Sequence, residues 1–373
     1  MLSTNPRTIK ACLPALQSLF SNHLQTYIDL FFHEKTTVLG EEAAALSRAG
    51  IIRQERGVCL PEVMVFPFRG KFIVTDFLLS IRKRTGRKFT RGLDDIWVMF
   101  PHETLLFIDR LGSIHGDRAL DLASGSGAIS LFLADRFKGV ISSDINPKAV
   151  RYATFNAVLN NQEDRITVIE SNLFQSISPH QFDFVCWNGP TVALPEVADP
   201  LKTYPLYSYG GFDGAEFTKK FIDTVFTHLN KDFTIKWWGG SLGDTRHSVV
   251  EQYLRQKLAH RPIRVTIEYL NPRRGVPVKE YDRLYEKYCK NTFDLPQGEE
   301  REKAAVEAWE EKLRKNKLTR VYISLITIQP SKKFEVRYKE AKKNAASPRH
   351  VFGFEWHKMS NIFIRKYLLA HNP

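Results

Sequence analysis

From about residue 118 onward the chain alternates between short apolar runs and segments with helical spacing, and the first such run ends in a glycine turn. Ala119-Leu120-Asp121-Leu122 reads as a strand, and Asp121-Leu122-Ala123-Ser124-Gly125-Ser126-Gly127-Ala128 turns out of it into a helix over 129–136. Strands are then predicted at 139–143, 166–169, 182–187, 233–238, 263–270 and 321–328. Helices are expected at 147–160, 217–229 and 248–259. Strands separated by helices require crossover connections, so the pattern predicts a mainly parallel sheet covered on both faces. The expected fold is a Rossmann-like α/β three-layer sandwich with an antiparallel terminal strand.

The glycine turn also constrains function. Glycine lets a backbone turn sharply and approach a ligand without a Cβ in the way. Asp144 ends the next strand, 19 positions beyond Gly125, where an acid can accept hydrogen bonds from both hydroxyls of a ribose. Asn146-Pro147 after it suits a helix start, with Asn as cap and Pro in the first turn. Asp144 could itself be only a cap, but loop and acid together favour a nucleoside-bearing cofactor. The third dinucleotide-type glycine is absent, since Ser130 stands in its place, and no GK[ST] sequence follows the turn. Dinucleotides and nucleoside triphosphates are therefore disfavoured.

At these residues the chain resembles the release-factor glutamine N5-methyltransferases and the wider group of small-domain S-adenosylmethionine (SAM) methyltransferases. Besides Asp121–Gly127, the resemblance rests on three segments. They are Pro101-His102-Glu103-Thr104, the run from Asp144 to Val150 with Asn156-Ala157, and Tyr209-Gly210-Gly211-Phe212-Asp213-Gly214 with Phe217. It implies that Asp121 and the backbone at Gly125 and Gly127 hold the methionine part of SAM and that Asp144 binds ribose. Asn172-Leu173, where the family has Asp-Leu, would flank adenine. Thr104, Ala123 and Ile145 complete the expected cofactor pocket. The family's catalytic NPPY sequence is Asn188-Gly189-Pro190-Thr191 here. The resemblance implies that Asn188 and Pro190 align the acceptor, with Asn188 also beside the cofactor. Gly189 loosens the turn, and Thr191 cannot stack on a flat acceptor. Tyr204, Tyr207 or Tyr209 could replace the missing aromatic or simply pack. Cys186 and Trp187 read as structural. Glu103 has two readings, a pocket carboxylate or base and a first-turn helix acid.

The flanks are less specific. The first segment, to about Glu55, reads helical, with a helix over 41–49 closed by Gly50. A small hairpin follows at 63–66 and 71–75, so residues 1–95 suit a winged-helix-like unit or a plain cap. Residues 96–330 are expected to form the methyltransferase domain, with a helical insert at 271–317 that is either a lid or an edge cover. The segment 331–373 is basic. The formal net charge is +13, and from residue 271 on, 23 Lys and Arg face 13 Asp and Glu. This suits an anionic partner such as RNA or a set of solvated helix faces. The four cysteines, at 12, 59, 186 and 289, are far apart. That spacing suggests a reducing, cytoplasmic setting with neither a zinc site nor a disulfide framework. No apolar run is long enough to span a membrane, and no metal is called for. The expected function is methyl transfer from SAM to a nitrogen on a protein or RNA. The alternatives are a small-molecule N- or O-methyltransferase and a degenerate methyltransferase used only for binding.

Overall fold

The computed structural model describes residues 1–33, 35–76, 94, 96, 103–178, 182–196, 199–200, 204–270, 275–278 and 299–340. Pro101, His102, Cys289, most of the insert and residues 341–373 lie outside the described residues.

The central sheet has the order β13-β10-β12-β9-β8-β5-β6-β7, with β11 (Val276–Pro277) paired beside β12. Its strands are β5 (Gly116–Leu122), β6 (Phe137–Asp144), β7 (Ile166–Glu170), β8 (Phe182–Trp187), β9 (Leu229–Gly243), β10 (Ile263–Tyr269), β12 (Arg320–Pro330) and β13 (Glu335–Glu340). The pairs β5–β6, β6–β7, β5–β8, β8–β9 and β10–β13 are parallel, and β12 runs antiparallel between β9 and β10. The sheet thus has the parallel body and antiparallel strand expected from the sequence. It also takes in the edge strand Glu335–Glu340; Phe334, just before it, Val336 and Tyr338 alternate with charged residues and pack on the core.

Each central strand is buried on both faces because helices cover both. Ala119, Phe184 and Cys186 face one core, with α6 (Ala128–Leu133) and α7 (Pro147–Leu159). Leu120, Val185 and Trp187 face the other, with α8 (Glu216–Val225) and α9 (Val249–Leu258). This two-residue alternation is how a strand feeds two layers at once. Asn146 caps α7 as expected, its Oδ1 accepting from the Lys148 amide at 2.9 Å with Pro147 at the first position.

The N-terminal region joins the α6–α7 core. It contains α1 (Pro6–Lys10), α2 (Cys12–Asn22), α3 (Leu24–Phe31) and α4 (Glu42–Arg48). Two hairpins follow, β1 (Ile52–Glu55) with β2 (Val58–Pro61) and β3 (Met64–Phe68) with β4 (Lys71–Thr75). The hairpin β3–β4 matches the expected one. The hairpin β1–β2 replaces an expected helical stretch, its turn formed at Arg56 and Gly57, both at positive φ. The last helices are α5 (Leu105–Asp109) and, in the insert, α10 (Glu299–Lys315). No helix among the described residues is long and apolar enough to cross a membrane.

Candidate active site

The sheet order reverses direction at β5, which has β6 on one side and β8 on the other. In parallel sheets such a switch point leaves a crevice beyond the carboxyl ends of the strands. A cavity of about 890 Å³ opens there. It is lined by Asp144 at the end of β6 and by residues that follow β5 (Ala123–Ser126), β6 (Ile145–Asn146), β7 (Ser171–Gln175) and β8 (Asn188–Ala193).

The cofactor half is built from backbone turns. Ala123, Gly125 and Gly127 all have positive φ, at 58°, 55° and 74°. A Cβ placed on Gly125 would meet nothing within 4 Å, so the chain's own atoms leave that space open. Asp144 sits against the turn: its Oδ2 accepts from the Gly125 amide at 2.8 Å and its Oδ1 from the Asn146 amide at 2.9 Å. Each oxygen keeps a lone pair for a ribose hydroxyl. Burial pushes the Asp144 carboxyl above its usual range, against the pull of those amides. Ile145 is 45% exposed, one of few large apolar side chains left open, and it lines the cavity. Asn172 and Leu173 line the same end, Leu173 at φ 51°. An open glycine turn, a free carboxylate edge and apolar flanks fit an adenosyl group with a methionine tail. Thr104 and Glu103 also line the cavity.

Two expected cofactor residues, Asp121 and Gly127, are buried at the turn. Asp121 is fully buried, its oxygens accepting from Ser130 Oγ at 2.6 Å and Cys186 Sγ at 3.3 Å. Neither Asp121 nor Gly127 is among the cavity-lining residues. Burial raises the Asp121 carboxyl to about 6 despite those donors. Asp121 fastens the strand to the helix after the turn, and Gly127 allows close packing, since a Cβ there would lie 3.0 Å from Ala153 Cβ. Cys186 is structural, as expected.

The acceptor half is different in construction. Asn188, Gly189, Pro190 and Thr191 all line the cavity, and Asn188 Oδ1 is buried with no hydrogen-bond partner. An unpartnered buried oxygen is costly unless something supplies a donor. Trp187, read from sequence as structural, also lines the cavity. Its ring explains the glycine that follows: a Cβ at Gly189 would sit 2.1 Å from the indole. Gly189 is thus required by Trp187, and proline is excluded there. Thr191 is seated on glycines, since a Cβ at Gly210 would lie 2.7 Å from its carbonyl carbon and one at Gly214 2.6 Å from its carbonyl oxygen. Tyr207 and Tyr209 line the cavity, and Tyr204 stacks behind Tyr209 at 5.6 Å and 7° between ring planes. An aromatic wall therefore exists although Thr191 does not provide it. From β9 and β12 come Trp238, Gly240, Ser241, Leu242, Val321 and Ile323. Sequence reasoning passed over them because strand residues buried on both faces look alike whether they meet a core or a cavity.

Outside this wall lies α10. Trp309 donates from Nε1 to the Phe212 carbonyl at 2.8 Å, and Lys312 lies 4.0 Å over the Phe212 ring while pairing with Glu196. Trp309 and Leu313 pack with Ala193, Leu242 and Val321, all three of which line the cavity.

Fold and site define a Rossmann-like methyltransferase domain. Residues 100–200 match the methyltransferase small domain family. Two curated relatives are release factor glutamine methyltransferases. That of Aquifex aeolicus is 29% identical over 53% of this chain and 74% of its own length. That of Thermodesulfovibrio yellowstonii is 34% identical over 34% of this chain and 48% of its own length, so the match spans about half of that relative. Among solved structures, the tRNA m1G37 methyltransferase of Methanocaldococcus jannaschii aligns with a TM-score of 0.39 and 15% identity, over 73% of this chain and 58% of that one. The chain is an enzyme of the SAM-dependent methyltransferase class.

Proposed function

We propose that this enzyme methylates a nitrogen on a macromolecular acceptor, a protein or an RNA. SAM supplies an electrophilic methyl group. The chain's own residues bind, orient and exclude water. Asp144 and the turn at Gly125 fix the adenosyl end, and Asn188 faces the reaction as a hydrogen-bond acceptor for the target amino group. Holding an amino group so that its lone pair points at the methyl lowers the barrier mainly by orientation, so no strong base is required. The observation that carries this reading is the buried, unpartnered Oδ1 of Asn188 on the strand end beside the Asp144–Gly125 cradle. The relatives that match are named for a glutamine acceptor, and this chain differs from their family's sequence at Gly189 and Thr191. Glutamine is therefore one candidate within the nitrogen class.

The reading extends to the whole chain. Residues 1–95 form an N-terminal module; the methyltransferase domain, expected to end at 330, runs on to β13 at Glu340, and the basic segment that suits an anionic partner in the cytoplasm is 341–373. A second reading, a small-molecule N- or O-acceptor, is favoured by α10, which closes the cavity wall from outside. Incubation with methyl-labelled SAM and fractionated cell extract separates the two. Label in a protease- or RNase-sensitive fraction supports the first reading, and label confined to small molecules overturns it. Binding to RNA that does not weaken with salt would remove the role given to the basic segment.

A further inference from the structure

Helix α7 carries the buried Asn156, and one turn on its C-cap is the half-buried Asn160; both reach the N-terminal hairpin. Asn156 Oδ1 accepts from the Val74 amide at 2.8 Å, and its Nδ2 donates to the Val74 carbonyl at 2.9 Å. Asn160 repeats the pattern with Phe72, at 2.9 Å in both directions. A carboxamide presents the same N–H and C=O pair as a peptide unit. The two side chains thus satisfy the outer edge of β4 as a neighbouring strand would, which a buried edge requires. They differ in one bond. Asn156 Nδ2 also donates to the Ser126 carbonyl at 2.8 Å, inside the cofactor turn, whereas the second bond of Asn160 goes back to the Asn156 carbonyl.

We infer that Asn156 is a positioning residue through which the N-terminal hairpin holds the cofactor turn in its binding shape. The inference rests on the reading that SAM binds at this turn. Within residues 123–127, Ala123 is a non-glycine at φ 58°, a conformation that persists only when its surroundings fix it, and Gly125 and Gly127 add backbone freedom that something must restrain. The Ser126 carbonyl is fixed by a side chain that is itself fixed by β4. Asn156 is completely buried and does not line the cavity, so it acts through the turn. Coupling of this kind is reciprocal: if the hairpin holds the turn, ligand on the turn steadies the hairpin.

The test compares Asn156→Ala with Asn160→Ala, using S-adenosylhomocysteine as the probe in calorimetry and the full chain throughout. Both variants lose a hairpin latch and melt earlier. Only Asn156→Ala should bind the probe more weakly, by about tenfold, the scale of one lost hydrogen bond of roughly 1.4 kcal/mol. Equal affinities in the two variants overturn the inference. Should Asn156→Ala fail to fold, amide exchange on the wild-type chain decides. The probe should slow exchange at Val74, and unchanged exchange there overturns the inference. Wild-type protein that does not bind the probe overturns the SAM reading itself, a result distinct from wild-type binding that is merely unaffected by Asn156.

Discussion

The two halves of the cavity are made by different means. The cofactor half consists of turns that directly follow β5, β6 and β7, and its key contact joins residues only 19 apart, Asp144 and Gly125. The acceptor half draws on the loop after β8, on Trp238, Val321 and Ile323 of β9 and β12, and on α10 behind them. One half follows from local backbone geometry at strand ends. The other depends on which side chains distant segments bring together. The cofactor half can therefore stay constant while the acceptor half changes, and damage to one should leave the other working.

The largest expected effect breaks the cofactor half alone. Asp144→Ala removes the acceptor of the Gly125 amide and the proposed partner of both ribose hydroxyls. Affinity for S-adenosylhomocysteine by calorimetry should fall about a hundredfold or more, because hydrogen bonds to a charged group contribute about 1.5–3 kcal/mol each. A loss of less than fivefold would put the ribose elsewhere. Next in size, Gly189→Ala drives a Cβ into the Trp187 indole. Turnover of labelled SAM should drop about tenfold or more while cofactor affinity stays unchanged, the scale expected from misplacing a positioning group. Adding Trp187→Leu should restore part of the rate. Equal damage to both constants would show that the halves are not separable.

The same contrast sets what the sequence reveals. Asp121–Ala128 and Asp144–Pro147 state their geometry within a few residues, because a strand, a glycine turn and a capped helix are local events. The placement of Asp144 beside Gly125 was legible for that reason. The burial of Asp121 was not. Its polar character suggests a ligand, whereas Ser130 and Cys186 satisfy it from within the core. Trp187 was read as core packing and proves to line the site as well, since one strand residue can pack on Phe221 and still border a cavity. The link between Trp187 and Gly189 is invisible without coordinates, as is the docking of Trp309 on Phe212 across 97 positions. Hairpin β1–β2 was missed for a related reason. Arg56-Gly57 is the same turn pair as Arg69-Gly70 and takes the same backbone shape, but the polar Arg53-Gln54-Glu55 precedes it, whereas Arg69-Gly70 sits between two apolar runs.

Trp309→Phe sharpens the comparison from the acceptor side. It keeps an aromatic ring against Leu313 and Ala193 but removes the donor to the Phe212 carbonyl. Stability should fall by on the order of 1 kcal/mol in denaturant unfolding, and turnover should fall a few-fold. Cofactor affinity should not move. Weaker cofactor binding in this variant would mean that α10 reaches the other half of the cavity.

Glu103 lines the same cavity as both halves, and its effect is the smallest and the most specific. Burial, with no compensating cation among the described residues, raises its carboxyl to about 8, from an ordinary value of 4.5. Between those two values the folded chain holds a proton there that the unfolded chain has lost. Stability contributed at this position is therefore complete below about 4.5 and declines as pH rises through about 8. Glu103→Gln keeps the neutral form at every pH, so its unfolding free energy should decline less than that of the wild type across this window. Urea unfolding at several pH values reads the difference directly. Parallel curves for the two proteins would mean that Glu103 is ionised in the folded chain at neutral pH. It would then be an acid just before α5, steadied by the helix dipole, and the cavity would be wetter at that point than its lining implies.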